Sequence, residues 1–190
     1  LGTSEVTLLE LTAAYAAFPN RGARIEPYSI MEVSDRQGRI IWRTRPQKRL
    51  VLSRSSAAIV TNMLEGVVNE GTARKATILG KAVAGKTGTS NDYKDALFIG
   101  FSPRIIAGVW VGRDLGASLG DKETGARAAL PIWIDFMHVA FQNEPHLYFD
   151  IPDDVSPIRI HPYTGQSQSN YSAPSVVALF KKGTEPSPLQ

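Results

Sequence analysis

Lys86-Thr87-Gly88-Thr89-Ser90 closes an apolar run that begins at Ala82. These residue types, at this spacing, suit the capture of an anion. An ammonium presented from a strand supplies a point charge, and neighbouring hydroxyls supply hydrogen bonds to the same anion. Side chains alternate across a strand, so Thr87 and Thr89 share one face while Lys86 points to the other. A bare Lys-Thr-Gly triplet is a weak signal, and its context decides what it means. Asp92 and Asp95 flank the following turn; paired carboxylates suit acid–base work, but turn chemistry accounts for both. Tyr93 and Lys94 are candidates for the rim of a cleft.

The elements that must position this stretch are legible on either side. Thr7-Leu8-Leu9-Glu10 fits a capping box, and Leu8, Leu11, Ala14, Tyr15 and Phe18 recur at helical spacing until Pro19-Asn20-Arg21-Gly22. Tyr28 to Val33 and Arg39 to Trp42 read as strands of a hairpin turning at Asp35-Arg36-Gln37-Gly38. Ser53 caps a second helix with Ala57, Val60, Met63, Leu64 and Val67 on one face, ended by Gly71. Ala82 to Thr89, Ala96 to Phe101 and Ile105 to Gly112 are apolar runs with short connections, which predicts a three-strand antiparallel meander. The third run is nearly all apolar and is expected to be covered on both faces. A helix is predicted from about Ala126 to Phe141, with Ile132, Phe136, Val139 and Ala140 as its apolar stripe and Pro131 in its first turns. Glu123-Thr124-Gly125 reads as a helix-start device with Thr124 as cap. Trp42, Trp110 and Trp133 are expected in core or hairpin packing.

Composition bounds the function classes. Hydrophobic residues make up 43% and charged residues 21% of the 190, a globular balance. The net charge of +3 is spread over scattered Lys and Arg, which argues against a nucleic-acid partner. The absence of Cys removes thiol nucleophiles, thiolate metal sites and disulfides. His138, His146 and His161 lack ligand spacing, so no metal or other cofactor is expected. The opening at Leu1 without Met reads as the interior of a longer protein. After Phe149 the composition turns to Pro, Ser, Gln and Asn, broken by Val176 to Phe180. The division expected is residues 1–150 as part of one domain, with a hairpin excursion at about 24–48, and residues 151–190 as a surface-hugging extension with a disordered tip.

Beyond the motif come Asp95-Ala96-Leu97-Phe98-Ile99-Gly100-Phe101-Ser102-Pro103 and Gly108-Val109-Trp110-Val111-Gly112. With the Lys-Thr-Gly strand, this block resembles the C-terminal half of the transpeptidase domain of bifunctional (class A) penicillin-binding proteins. Gly2-Thr3-Ser4-Glu5-Val6-Thr7 with Leu11 to Tyr15 looks like that family's helix after its second motif. Gly66-Val67-Val68-Asn69-Glu70-Gly71-Thr72-Ala73 looks like its lead-in to the motif strand. Glu123-Thr124-Gly125 and Ala129-Leu130-Pro131-Ile132-Trp133 look like its last helix. The resemblance covers residues 1 to about 165.

The resemblance implies an α+β fold, an antiparallel β-sheet flanked by helices as in penicillin-binding and β-lactamase-like transpeptidases, present here as a partial domain. It implies a D,D-transpeptidase or carboxypeptidase that cross-links D-Ala-D-Ala stem peptides of peptidoglycan through a serine acyl-enzyme and is acylated by β-lactam antibiotics. Lys86 and Thr89 would be catalytic, Lys86 facing the family's Ser-x-Asn serine and the Thr89 N–H serving as an oxyanion donor. Thr87, Gly88, Thr89 and Ser90 would bind substrate. The family's Ser-x-x-Lys nucleophile and its Ser-x-Asn are both missing from this chain; Ser90-Asn91-Asp92 has the wrong spacing. The expectation is therefore a half-site, inactive alone, whose partner is the upstream half of its own protein, carrying the serine. A membrane anchor and a glycosyltransferase domain are also expected upstream, with the domain at the extracytoplasmic face of the cytoplasmic membrane. Leu97, where many relatives carry Trp, reads as a packing variation. A serine β-lactamase-like hydrolase and a non-catalytic cell-wall binding module are the alternatives; the blocks flanking the motif disfavour the first, and intact Lys86, Thr87 and Thr89 the second.

Overall fold

A computed structural model describes residues 5–169 and 174–188. The Gly2-Thr3-Ser4 part of the resemblance therefore lies outside the described residues. At the centre is a three-stranded antiparallel sheet in the order β5-β6-β7, formed by β5 (Ala84–Thr89), β6 (Asp95–Phe101) and β7 (Ile106–Gly112). This is the meander predicted from the short connections, in continuous register from Ala84 opposite Phe101 to Thr89 opposite Ala96.

Alternation divides the sheet into two faces. Phe98 and Gly100 look toward α3 (Leu130–Ala140), where Trp133 meets the Phe98 ring edge-on at 5.0 Å between centroids. The Trp133 indole N–H is shared between the carbonyls of Gly100 (3.3 Å) and Ala107 (3.1 Å). Gly100 is required for this approach, because a Cβ there would stand 2.5 Å from Trp133 Cζ2. On the opposite face Phe101 stacks with Phe18 and packs with Leu64 and Ala84.

Helix α1 (Leu8–Tyr15) carries the predicted capping box: Thr7 Oγ1 accepts from the Glu10 N–H at 3.2 Å, and Glu10 Oε2 accepts from the Thr7 N–H at 2.9 Å. The helix crosses β7 at Gly108, where a Cβ would meet Thr12 Oγ1 at 2.3 Å. Full cover of β7 is not achieved. As an edge strand it remains half-buried throughout, with Trp110 47% exposed. Apolar composition reports what a strand tolerates, whereas cover depends on which elements reach it.

The stripe expected on α3 is corrected. Leu130, Trp133 and Met137 are fully buried, while Ile132, Phe136 and Val139 are exposed. Both sides of this helix are apolar, so periodicity alone could not choose between them, and the space beside Gly100 favours the indole. Ile132 and Phe136 line an apolar groove with Leu8, Leu9 and Ile106. The helix is preceded by a π-helical turn at Gly125–Ala129. Met63, expected on the inner face of α2 (Arg54–Asn69), is likewise exposed; Ala57, Ala58, Thr61, Leu64 and Val68 form the buried side. Ser53 caps α2 as predicted, its Oγ accepting from the Ser56 N–H at 3.0 Å.

Between α1 and α2 the chain leaves the sheet as two ribbons. β1 (Ala23–Ile25) pairs with β4 (Lys48–Leu50), and β2 (Glu32–Ser34) pairs with β3 (Ile40–Arg43). The turn at the tip is tied by Asp35, whose Oδ1 accepts from the N–H groups of Gln37 and Arg39 at 2.9 Å each. Hydrogen bonding from the Arg39 backbone holds the Asp35 carboxyl below its usual range, with smaller help from the Arg39 and Gln37 bonds. Trp42 and Ile41 lie exposed on this ribbon, so of the tryptophans only Trp133 is a core residue.

Beyond residue 150, β8 (Val155–Ile160) and β9 (Val176–Lys181) pair antiparallel. Val155 and Leu179 are buried against Ala58 of α2, and the Leu179 N–H donates to Asn62 Oδ1 at 3.1 Å. Sequence composition concealed β8, which contains a Pro and is surrounded by polar residues.

Glu65 projects from α2 beside β9, near Asn62, Val176 and Val177. Burial pushes its carboxyl above the usual range, opposed in part by a hydrogen bond with Asn62. The folded chain thus binds this proton more tightly than the unfolded chain, and ionising Glu65 costs stability above the raised folded pKa. Stability should rise as pH falls from that value toward the ordinary carboxylate range. Glu65→Gln is expected to raise the thermal midpoint at pH 7 and to flatten this segment of the profile. A midpoint at pH 7 equal to or below that of the native protein would refute it.

Candidate functional site

The predicted motif occupies the exposed end of β5. Lys86 stands opposite Ile99, Thr87 opposite Phe98, Gly88 opposite Leu97 and Thr89 opposite Ala96. Thr87 and Thr89 therefore share the Phe98 face, as alternation requires, and Lys86 lies on the other. The ladder also fixes where the backbone points. The Ser90 N–H donates to the Asp95 carbonyl at 3.0 Å, so the pairs at Gly88 and Lys86 are the hydrogen-bonded ones. The N–H and C=O groups of Thr87 and Thr89 consequently point away from β6, toward the outer edge of β5. Lys86 Nζ is also at that edge, donating to the Thr87 carbonyl at 2.9 Å. Edge amides, two hydroxyls and one ammonium thus stand together as a strip along residues 86–89.

Two residues outside the motif complete the strip. Thr72, just past α2, brings its Oγ1 to 3.0 Å from that of Thr87. Gly125 donates its N–H to Thr89 Oγ1 at 3.1 Å. Gly125 sits so close that an added Cβ would fall 2.4 Å from the Leu97 carbonyl oxygen and 2.5 Å from that of Gly88. The role expected for Thr124 is corrected. It occupies the N-cap position, but its side chain makes no capping bond, and its carbonyl receives the N–H groups of Arg127 and Ala128. The contact with the motif strand belongs to the next residue. A Gly at a helix start was the available signal for Gly125; nothing in the sequence pointed to Thr72 beyond its place in a matching block.

Ser90 and the residues after it build the turn. Ser90 Oγ accepts from the Asp95 N–H at 2.7 Å, and Asp92 and Tyr93 both have positive φ (60° and 52°). The Tyr93 carbonyl accepts from the Leu119 N–H at 2.8 Å, tying this turn to the loop that leads to Gly125. Asp95 Oδ1 accepts from the Trp110 indole at 3.0 Å. Asp92 thus enters the turn through its backbone conformation, while the Asp95 carboxylate ties the end of β6 to Trp110 of β7.

Residues 1–114 match the family model described as "Penicillin binding protein transpeptidase domain". The chain belongs to this transpeptidase family. Penicillin-binding protein 1A of Aquifex aeolicus is 44% identical over 186 residues, which cover 98% of this chain and 26% of that protein. The crystal structure of penicillin-binding protein 1A from Haemophilus influenzae superposes with a TM-score of 0.89 at 26% identity, over 100% of this chain and 34% of that one. The imipenem acyl-enzyme complex of penicillin-binding protein A from M. tuberculosis gives 0.63 at 26% identity, over 75% of this chain and 33% of that one. The transpeptidase chain spans about a quarter of the length of the curated relatives it matches. The α+β architecture expected from the resemblance is the one these transpeptidases share.

Proposed function

We propose that this chain is the C-terminal part of a class A penicillin-binding protein's transpeptidase domain and supplies the strand on which the D-Ala-D-Ala stem peptide lies. The observation that carries this reading is the outer edge of β5, where Thr87 and Thr89 hydroxyls, edge amides and the Lys86 ammonium stand together. A peptide adding to that edge would pair with the Thr87 and Thr89 backbone. Its terminal carboxylate would be met by the two hydroxyls, and its reacting carbonyl by the Thr89 N–H as one oxyanion donor. Gly88 keeps the strand surface low beneath it, and Ser90 holds the turn that presents Thr89.

The reaction is acyl transfer. A serine hydroxyl, in a Ser-x-x-Lys segment contributed from elsewhere in the longer protein, attacks the carbonyl of the penultimate D-Ala. The terminal D-Ala leaves with the proton, and the acyl-serine passes to an amine of a second stem, or to water in a carboxypeptidase reaction. A β-lactam follows the first step, but its leaving group stays tethered, so the acyl-enzyme persists. Lys86 would lie on the proton path of the serine pair. The protein would work at the extracytoplasmic face of the cytoplasmic membrane, anchored by another segment; among the described residues no helix is long and apolar enough to cross a membrane.

The test is a fluorescent penicillin on the full-length protein, followed by digestion and peptide mapping. One slowly released label is expected, on a serine of a Ser-x-x-Lys peptide outside these 190 residues. A label mapping to any serine within them, or rapid turnover of the penicillin, would contradict the reading.

A further inference from the structure

The two motif hydroxyls are already hydrogen-bonded to the protein, and the bonding restricts which atoms they can offer a ligand. A threonine hydroxyl has one proton to give and two lone pairs to receive with. The Gly125 N–H can only donate, so Thr89 Oγ1 is the acceptor in that 3.1 Å bond and its proton is free for another partner. The Thr72–Thr87 contact is different, because either oxygen can be the donor across its 3.0 Å. If Thr87 donates, it turns lone pairs outward, and a carboxylate beside it is repelled. If Thr72 donates, Thr87 keeps its own proton for the anion and matches Thr89.

A carboxylate accepts and never donates, so its arrival selects the second arrangement. Thr72 is suited to that task. It follows α2 in a segment fixed by the bonds from Gly71 N–H to Gly66 O (3.1 Å) and from Ala73 N–H to Val67 O (3.0 Å). Ala73 beside it is completely buried, while Thr72 is exposed, with its hydroxyl bonded to Thr87 among the described residues.

We propose that Thr72 is a positioning residue of the carboxylate site: its hydroxyl donates to Thr87 Oγ1, so that Thr87 presents its proton to the substrate in parallel with Thr89. This rests on the proposed role of Thr87 and Thr89 as carboxylate partners. It assigns to the segment after α2 a share in recognising the ligand's charge. No bond is made or broken by Thr72.

The test measures acylation rate constants of the full-length protein with a penicillin bearing its free carboxylate and with the methyl ester of the same compound. Thr72→Val, nearly isosteric but with no hydroxyl to hold Thr87 Oγ1 in orientation, leaves the Thr87 hydroxyl rotor unfixed. It should slow the free acid about tenfold and change the ester by no more than about twofold. Thr72→Ser should restore the native rate with the free acid, since it keeps the hydroxyl. Equal loss on both compounds, native rates for Thr72→Val, or failure of Thr72→Ser to rescue would each overturn the assignment while leaving the transpeptidase reading intact. A native protein acylated by neither compound would overturn both.

Discussion

Lys86→Ala should lower the rate of acylation of the full-length protein by a penicillin about 10²–10³-fold, the size typical of removing one preorganised group acting on developing charge. The thermal midpoint should hardly move. Lys86 is exposed, and among the described residues its ammonium donates to the neighbouring Thr87 carbonyl, so little folded-state structure depends on it. Lys86→Arg should not rescue, because a planar fork replaces a compact point charge at an edge where backbone and hydroxyls crowd together. Stopped-flow acylation and a thermal melt on the same preparations separate the two effects. A native acylation rate in Lys86→Ala would reduce Lys86 to a solvated charge at a strand end.

Trp133→Ala is expected to be the most damaging single change to the fold, costing about 3–5 kcal/mol. The indole is fully buried, fills the space that Gly100 leaves open, meets Phe98 edge-on and binds two carbonyls at once. Its loss opens a cavity beneath the sheet and orphans its share of the Gly100 and Ala107 carbonyl bonding. Because α3 follows directly from the turn that carries Gly125, damage here should reach the motif strand. Trp133→Phe should cost less, keeping most of the volume while losing the N–H. Urea unfolding of the transpeptidase domain measures both; a cost for Trp133→Ala below about 1 kcal/mol would mean that the site collapses around the missing ring.

What could be read from the sequence was whatever local chemistry enforces. The Thr7–Glu10 capping box, the Ser53 cap and the meander each follow from contacts spanning only a few residues or from connections too short to allow anything else. The strand ending in Lys86-Thr87-Gly88-Thr89 was legible for the same reason, and alternation alone put its two threonines on one face. Strand β8 was not, because Pro157 and polar neighbours mask it; β9 shows only as the apolar run Val176 to Phe180, and its pairing with β8 and packing on α2 are long-range contacts.

By itself, then, the sequence determined the family block, the strand that carries the motif and the order of hydroxyls and ammonium along it. Tertiary structure alone decided which side of α3 enters the core, since both are apolar and only the gap above Gly100 distinguishes them. It also decided the partners of the motif hydroxyls. Thr72 and Thr87 are 15 positions apart, and Thr89 and Gly125 are 36 apart. Separations of that size are closed by packing of α2 and the pre-α3 turn against β5, and no local periodicity records them.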